Sequence, residues 1–214
     1  MKVYYMSACP LSSKLRILLK FLKISHESIY INDLNSLQKI KHINFSYFPI
    51  LQSENNYFSD ISTIILFLFH TYSSSFLKQI FNNYNIFHNE TYFDKHVFFM
   101  FCKPIVYALY DYYIGNVKEI VLSTKYIEDL NMYLTQLNDH FKNYEWFYGN
   151  FSINDMSCFS ILSSLSYFGI IEWEIYTYLK KYYLRLKSND NFNFILNDQF
   201  FNIPPSKLYT VIDF

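Results

Sequence analysis

Residues 1–22, MKVYYMSACPLSSKLRILLKFL, join a short strand to an amphipathic helix, and the rest of the chain is organised around them. Residues 2–6 are strand-like, with the aromatic and β-branched residues that favour strands. Pro10 suits the first helical position, because its fixed φ is already helical and its missing N–H would have had no partner there. One helix face then carries leucines at helical spacing, namely Leu11, Leu15, Leu18 and Leu22.

Cys9 directly precedes Pro10 and is the expected N-cap of this helix. A sulfur at that position lies among unpaired backbone N–H groups at the positive end of the helix dipole, with Lys14 and Arg16 nearby. These surroundings favour the nucleophilic thiolate and predict a pKa below the usual value of about 8.5. The alternative is a small, inert residue that fills a corner of the core. The sequence leaves both alternatives open.

The 214 residues carry 18 basic and 18 acidic side chains, so the formal net charge is zero and favours neither nucleic acid nor an anionic membrane as partner. The cationic and aromatic run at residues 180–187 is more typical of a solvated helix face. No secretory signal precedes the first strand, and the longest uncharged apolar run, residues 61–69, is too short to span a membrane. We expect a soluble cytoplasmic protein.

The three cysteines, Cys9, Cys102 and Cys158, are far apart in sequence and lack the Cys-x-x-Cys spacing of metal sites, which is typical of a reducing compartment. His88 and His96 are eight residues apart, too far to bind one metal ion from one helix face. We therefore expect no metal site.

The first part of the chain alternates strands and helices. Four strands are expected, at residues 2–6, 28–31, 48–52 and 57–58. Ser59 or Asp60 caps a helix that runs to about residue 70, and residues 35–43 have a weak helical pattern. The order βαβ and then ββα predicts a four-stranded mixed sheet with a right-handed parallel crossover.

Beyond residue 72 every segment is helix-like. Helices are expected at about residues 88–115, 123–144, 152–168, 175–187 and 192–198. The clearest start is at Ser152, where the Asp155 carboxylate can reach back to the Ser152 N–H in a capping box. We therefore divide the chain into an α/β domain at residues 1–72, a linker at 73–86 and an all-α domain at 87–214.

Taken together, these features resemble the glutathione transferase family over essentially the whole chain. The matching stretches are Cys9-Pro10-Leu11-Ser12, Phe48-Pro49-Ile50-Leu51, the acidic Asp60, the Gly-x-x-Ser-x-x-Asp pattern of Gly149, Ser152 and Asp155, and the ending with Pro204-Pro205. The resemblance implies a thioredoxin-like N-terminal domain, an all-helical C-terminal domain and a homodimer with two-fold symmetry.

The resemblance also implies a site for glutathione, as co-substrate, at the start of the first helix. Cys9 matches the catalytic position, and a cysteine there is similar to omega-type and glutaredoxin-like members, which form a mixed disulfide with glutathione. Ser7 and Ser12 are alternative donors. Pro49 matches the family's cis-proline, which turns the backbone N–H and C=O of Phe48 toward glutathione.

Two positions depart from the family's pattern. Asp60 matches the residue that opens the glutathione-binding helix, but Ile61 replaces the serine whose hydroxyl binds the γ-glutamyl carboxylate. The backbone N–H groups remain available to that anion, so the loss is one hydrogen bond to a charged group, about 1.5–3 kcal/mol. The usual Asn-Pro-x-Gly is also replaced, by Ile-Asn-Phe-Ser-Tyr at residues 43–47.

Two functions follow from these residues. The first is a glutathione transferase or thiol transferase that joins glutathione to a small electrophile, or exchanges a glutathione mixed disulfide, through Cys9. The second is a degenerate, non-catalytic module of the same fold that acts in protein–protein interaction or regulation. Ile61 and the lost Asn-Pro-x-Gly favour the second function, since a fold alone does not fix an activity.

Overall fold

The computed structural model describes residues 1–7, 9–31, 48–72, 75–80, 93–113, 115–121, 123–200 and 203–210. Its strands form one mixed sheet in the order β2-β1-β3-β4, with β1 at Lys2–Tyr5, β2 at Glu27–Tyr30, β3 at Ile50–Ser53 and β4 at Asn56–Phe58. β1 pairs parallel to β2 and antiparallel to β3, and β3 pairs antiparallel to β4. The predicted four-stranded mixed sheet is confirmed. The weak helix predicted at residues 35–43 lies outside the described residues.

Helices make up most of the remainder. They are α1 (Pro10–Phe21), α2 (Ile61–Thr71), α3 (Ser75–Ile80), α4 (Phe93–Cys102), α5 (Lys103–Tyr113), α6 (Thr124–Asn143), α7 (Ile153–Tyr167), α8 (Thr177–Lys187), α9 (Asp190–Asn193), a 3₁₀ turn (Phe194–Asn197) and α10 (Lys207–Thr210). The mostly helical second part is confirmed. α4 is wound as a π-helix and runs directly into α5. No described helix is both long and apolar enough to cross a membrane.

The domain boundaries remain a prediction. α3 lies inside the stretch predicted as a linker, so the described part of that stretch is helical. Residues 81–92, which include the predicted start of the next helix and His88, lie outside the described residues.

Two helix starts are capped by carboxylates at the positions that the sequence predicts. The Asp60 carboxylate, before α2, accepts hydrogen bonds from the N–H and the hydroxyl of Thr63 at 2.8 and 3.0 Å. At α7 the N–H of Ser152 donates to the buried Asp155 carboxylate at 2.8 Å, and the Tyr182 hydroxyl donates to the same carboxylate at 3.0 Å. A cap of this kind stabilises a helix by about 1 kcal/mol.

Helix α1 is buried on more sides than its leucine pattern predicts, because every residue from Pro10 to Leu19 is buried. It packs most extensively against α7. Its two buried cations have carboxylate partners in the helical part of the chain that follows the sheet. Lys14 Nζ lies 2.8 Å from Asp94 Oδ2, with side-chain exposures of 1% and 3%, and Arg16 pairs with Asp198. These two ion pairs join the sheet-containing half of the chain to the helical half.

Helix α7 is buried along its whole length of 15 residues, although several of those residues are polar. The buried polar side chains include those of Ser157, Ser160, Ser163, Ser164 and Ser166. The Ser157 and Ser160 hydroxyls donate to carbonyls one turn earlier in the same helix, at 3.3 and 2.8 Å. Such bonds satisfy these two hydroxyls within the helix, so they need no polar partner from another element.

We predict that breaking the Lys14–Asp94 pair destabilises the protein strongly. Asp94→Leu leaves the Lys14 charge buried without this carboxylate, so the free energy of unfolding should fall by about 3–5 kcal/mol. The double variant Lys14→Met with Asp94→Leu should recover much of that loss, because it buries apolar groups in place of both charges. Urea unfolding, with the midpoint and slope measured for each variant, tests both expectations.

The control is Lys2→Met, which breaks the exposed Lys2–Glu27 pair, whose side chains are 46% and 60% exposed. Its effect should stay below about 1 kcal/mol. Equal losses in Asp94→Leu and Lys2→Met would contradict the structural importance of the buried pair.

Candidate functional site

A cleft of about 250 Å³ opens where the N-terminal ends of α1 and α2 face the continuous helix formed by α4 and α5. Four of the sequence-predicted site residues line it together, namely Cys9, Phe48, Asp60 and Ile61. A wider depression of about 680 Å³ lies around the C-terminal segment, but none of the predicted site residues lines it. The smaller cleft is therefore the candidate site, because the helix starts and the thiol converge there.

Cys9 is the N-cap of α1, as predicted, with an extended backbone conformation (φ −95°, ψ 112°) and Pro10 as the first helical residue. Its N–H donates to the Met6 carbonyl at 3.0 Å. Its side chain is almost fully enclosed, with 1% of the residue exposed, and the thiol donates to the Phe48 carbonyl at 3.6 Å. Cys9 therefore lies at the inner end of the cleft as a buried thiol.

The predicted lowering of the Cys9 pKa is wrong for this structure. Burial raises the pKa of the Cys9 thiol, because a charged sulfur would lose its hydration. Hydrogen bonds from the N–H groups of Ser12 and Leu11 and from the Ser12 hydroxyl lower it, as does the charge of Lys103, but they do not compensate for the burial. The helix start thus supplies the donors that the sequence predicts, within a site too enclosed for them to stabilise a thiolate.

The two cations that the sequence predicts near the Cys9 thiol have other partners. The sequence suggests Lys14 and Arg16 as its neighbours, but both form ion pairs with carboxylates of the helical half of the chain. The cation that lowers the Cys9 pKa is Lys103, from α5. Sequence distance is a poor guide here, because side chains along a helix point in different directions and only some of them reach its N-terminus.

The two alternative donors differ in their positions. The Ser12 hydroxyl hydrogen bonds to the Cys9 side chain and accepts a hydrogen bond from the Met6 N–H at 3.4 Å. Ser7 is buried at 6% exposure and is not among the residues that line the cleft. Ser12 does not line the cleft either, so what favours it over Ser7 as a second donor is its hydrogen bond to the Cys9 side chain.

The Phe48-Pro49 peptide bond is cis, as the resemblance implies. Phe48 lines the cleft, and its carbonyl is the acceptor for the Cys9 thiol. The backbone of Phe48 and the side chain of Cys9 thus lie on the same inner wall.

The start of α2 forms another wall of the cleft. The Asp60 carboxylate is engaged in capping Thr63, and Ile61 is buried at 4% exposure. Two serines also line the cleft on either side of these residues, namely Ser59, which the sequence offers only as a helix cap, and Ser62. Their hydroxyl groups lie close to Ile61, the position at which the glutathione transferase pattern has a serine.

The opposite wall contains site residues that the sequence analysis missed. Lys95, Phe99, Lys103 and Tyr107 line the cleft at intervals of four residues, close to one helical turn. Lys103 Nζ lies 4.9 Å from the Phe99 ring centroid and 5.5 Å from that of Tyr107. Burial raises the pKa of the Tyr107 phenol, and its contact with Cys9 raises it further. The available signal was the spacing of the two lysines, which are eight residues apart in an apolar segment and so recur after about two helical turns.

No group of three His, Cys, Asp or Glu side chains in the described part of the chain is placed to hold a metal ion.

We predict that Cys9 reacts slowly with an alkylating reagent in the folded protein. Because its pKa is raised, the thiolate fraction at neutral pH should be lower than in the urea-unfolded chain, and the reaction rate should climb mainly above about pH 8.5. Peptide mapping after timed iodoacetamide treatment measures this rate.

Cys102 and Cys158 are internal controls, since both are buried and neither lines the cleft. They should react later than Cys9. Faster alkylation of Cys9 in the folded than in the unfolded protein at neutral pH would show that the thiol is activated instead.

No known family model matches the chain. A stretch of 88 residues is 31% identical to FtsZ-localized protein A of Caulobacter vibrioides, and it spans 41% of this chain and 39% of that protein. The match therefore covers about two fifths of the length of this curated relative.

Solved structures are similar over the whole chain. A glutathione S-transferase from Sinorhizobium meliloti superimposes with a TM-score of 0.84 and FzlA from C. crescentus with 0.80, each at 16% identity and covering 100% of this chain and 99% of the other. A glutathione S-transferase from Methylobacterium radiotolerans, in complex with glutathione sulfonate, has a TM-score of 0.70 at 15% identity over 96% of this chain and 95% of the other. The chain therefore has the fold of the glutathione S-transferases, with a thioredoxin-like sheet domain and a helical domain.

Proposed function

We propose that this protein is a non-catalytic, glutathione-binding module of the glutathione transferase fold, which acts by associating with another protein. The observation that carries the proposal is the state of Cys9, whose thiol is enclosed at the inner end of the cleft with a raised pKa. A thiol that remains protonated at neutral pH is a poor nucleophile. The described residues thus support binding in the cleft better than turnover at Cys9.

Glutathione binding is supported by the groups that line the cleft. The N-terminal ends of α1 and α2 both meet it, and helix starts offer backbone N–H groups to carboxylates. Phe48, which precedes the cis-proline, also lines the cleft. A transferase of similar fold has been solved in complex with glutathione sulfonate, which also supports a glutathione site in this chain. Ile61 weakens the site, since one hydrogen bond to a charged group is absent, which corresponds to roughly a ten- to hundredfold loss of affinity.

Association with a protein is supported by the partial relative, which is named for its localisation with FtsZ. Polymerised FtsZ is therefore the first protein partner to test, by pelleting filaments with and without this protein. We also retain the two-fold homodimer as part of the proposal, since symmetric dimers are the commonest oligomers.

A second function, thiol transfer, is favoured by the donors around Cys9. The N–H groups of Leu11 and Ser12, the Ser12 hydroxyl and Lys103 all favour a negative sulfur. Tyr107 also contacts the thiol. If a ligand opened this site to water, the same groups would stabilise a thiolate that could attack a glutathione mixed disulfide or a small electrophile. This second function is the transferase or thiol transferase that the sequence predicts at Cys9.

One experiment separates the two functions. We expect calorimetry to detect reduced glutathione binding, while conjugation to a generic aryl chloride stays at the uncatalysed rate and oxidised glutathione adds no glutathionyl group in intact-mass spectra. The matched control is Cys9→Ser, which keeps a good N-cap and should bind glutathione equally well. One glutathionyl group on Cys9, absent from Cys9→Ser and removed by reduced glutathione, would establish thiol transfer instead. If calorimetry detects no glutathione binding, the proposal that the cleft binds glutathione is wrong.

We predict that Ile61→Ser tightens glutathione binding by about tenfold or more, because it restores a hydroxyl beside the start of α2. Ile61→Val is the control, since it shortens the side chain without adding a donor. Calorimetric titration of both variants measures the difference. Equal affinities in the two variants would show that the γ-glutamyl group does not bind at this helix start.

A further inference from the structure

A surface groove of about 430 Å³ lies between the C-terminal end of α6 and α8, and it shares no lining residue with the cleft that contains Cys9. Its cationic and aromatic lining residues include Lys142, Tyr144, Tyr178, Lys181, Tyr182 and Arg185. The sequence alone indicates a solvated helix face at residues 180–187. The structure instead places two cations of that run, Lys181 and Arg185, in one wall of this groove, which we call the α6–α8 groove.

The charges of the α6–α8 groove favour an anionic partner. Lys142, Lys181 and Arg185 contribute three positive charges, and the carboxylate among the described lining residues is that of Glu145. Glu145 Oε1 lies 3.0 Å from Arg185 Nη1, in a partly exposed ion pair. The two helix ends at the groove oppose each other, since α6 ends there with its negative pole and α8 begins there with its positive pole. The side chains therefore leave an excess of two positive charges.

Arg185 is held in place by its neighbours. Its guanidinium carbon lies 4.2 Å from the Trp146 ring centroid and 5.6 Å from that of Tyr182. Its Nη2 donates to the Glu145 carbonyl. The Tyr182 ring is itself stacked on Phe141, with the centroids 3.7 Å apart. A planar cation that is already ordered loses little conformational entropy when a carboxylate binds to it, so the arrangement favours binding.

Exposed aromatic rings lie beside these cations. Tyr144 is 59% exposed and Tyr178 is 36% exposed. The Tyr144 ring is nevertheless ordered by stacking on His140, with the centroids 5.0 Å apart, and Lys181 Nζ lies 5.8 Å from the Tyr178 centroid. Tyrosine and arginine are enriched among the residues that contribute most to protein interfaces. Because small-molecule sites enclose most of their ligand, such an exposed groove suits a protein segment better.

The spacing of two cations limits the pattern of that segment. Lys181 and Arg185 are about one turn apart on α8, which corresponds to about 6 Å along the helix axis. Side chains on one face of an extended chain recur at every second residue, about 6.6–7 Å apart. Two carboxylates separated by one residue can therefore reach both cations together, whereas consecutive carboxylates point to opposite faces of the segment.

We propose that the α6–α8 groove binds an extended acidic segment of a partner protein. Alternate carboxylates of the segment lie against Lys181 and Arg185, and an aromatic side chain further along the same face packs on Tyr144. The inference deepens the proposed function, on which it rests for the premise that this protein acts by associating with another protein. It adds the surface that is used and the chemistry of the partner.

Three labelled peptides test the inference with the full chain. The first is Ser-Glu-Ser-Glu-Ser-Phe-Ser, the second replaces both glutamates by glutamine, and the third is Ser-Glu-Glu-Ser-Ser-Phe-Ser, with consecutive glutamates. We expect the first peptide to bind at least about tenfold more tightly than the glutamine peptide and more tightly than the third. The preference over glutamine should weaken as salt is added. Fluorescence anisotropy measures the three affinities.

Variants on α8 assign the preference to the groove. Lys181→Glu should weaken binding of the first peptide by about tenfold or more. Lys180→Glu is the matched control and should change it by less than about threefold, because Lys180 does not line the groove and pairs with Glu174 at 2.8 Å. Arg185→Lys should also weaken binding, since it keeps the charge but removes the planar group that stacks on Trp146. Circular dichroism verifies that each variant is folded.

Each outcome decides one of the two proposals. Equal affinities for the glutamate and glutamine peptides, or equal losses in Lys181→Glu and Lys180→Glu, would overturn the inference. So would binding of single-stranded oligothymidylate in place of the first peptide, because the groove would then serve nucleic acid. A glutamate preference that depends on Lys181 would support the inference even if neither glutathione nor FtsZ filaments bound, and those failures would count against the proposed function alone.

Discussion

The burial of α1 is the constraint on which the rest of the structure depends. A helix enclosed on this many sides cannot leave charges without partners, since an unpaired buried charge costs several kcal/mol. Lys14 and Arg16 meet that requirement through Asp94 and Asp198. Because Asp94 lies in the first turn of α4, the Lys14 contact also fixes where α4 runs. The wall of lysines and aromatic rings therefore begins beside the ion pair that satisfies a charge of α1, since Lys95 directly follows Asp94.

The state of Cys9 follows from two opposing effects at the same atom. The start of α1 directs N–H groups at the sulfur, and Lys103 adds a positive charge, so both favour the thiolate. Enclosure by the surrounding residues removes water and favours the thiol, and this effect is the larger one. A helix start therefore does not by itself activate a cysteine. The access of water to the sulfur decides how much of the helix's electrostatic contribution is realised.

The sequence predicted local features well, because they depend on nearby residues. The four strands, the Asp60 cap, the Ser152–Asp155 cap and the position of Cys9 before Pro10 all follow from short-range patterns. The cleft wall formed by α4 and α5 could not be predicted in the same way, since it depends on how residues about 90 positions apart pack together. For the same reason Lys14 and Arg16 were assigned to the thiol, when their carboxylate partners lie 80 and 182 residues away.

The close packing of α1 against α7 affects how cooperatively the protein unfolds. After residue 72 the predicted pattern changes from alternating strands and helices to helices alone. Such a change is typical of a boundary between two independent folding units. Helix α1 packs most extensively against α7, and two ion pairs cross the same boundary. A fragment that ended at residue 72 would expose the apolar surface of α1 and leave Lys14 and Arg16 without their carboxylates. The two halves should therefore unfold in one transition, so the boundary visible in the sequence does not separate two thermodynamic units.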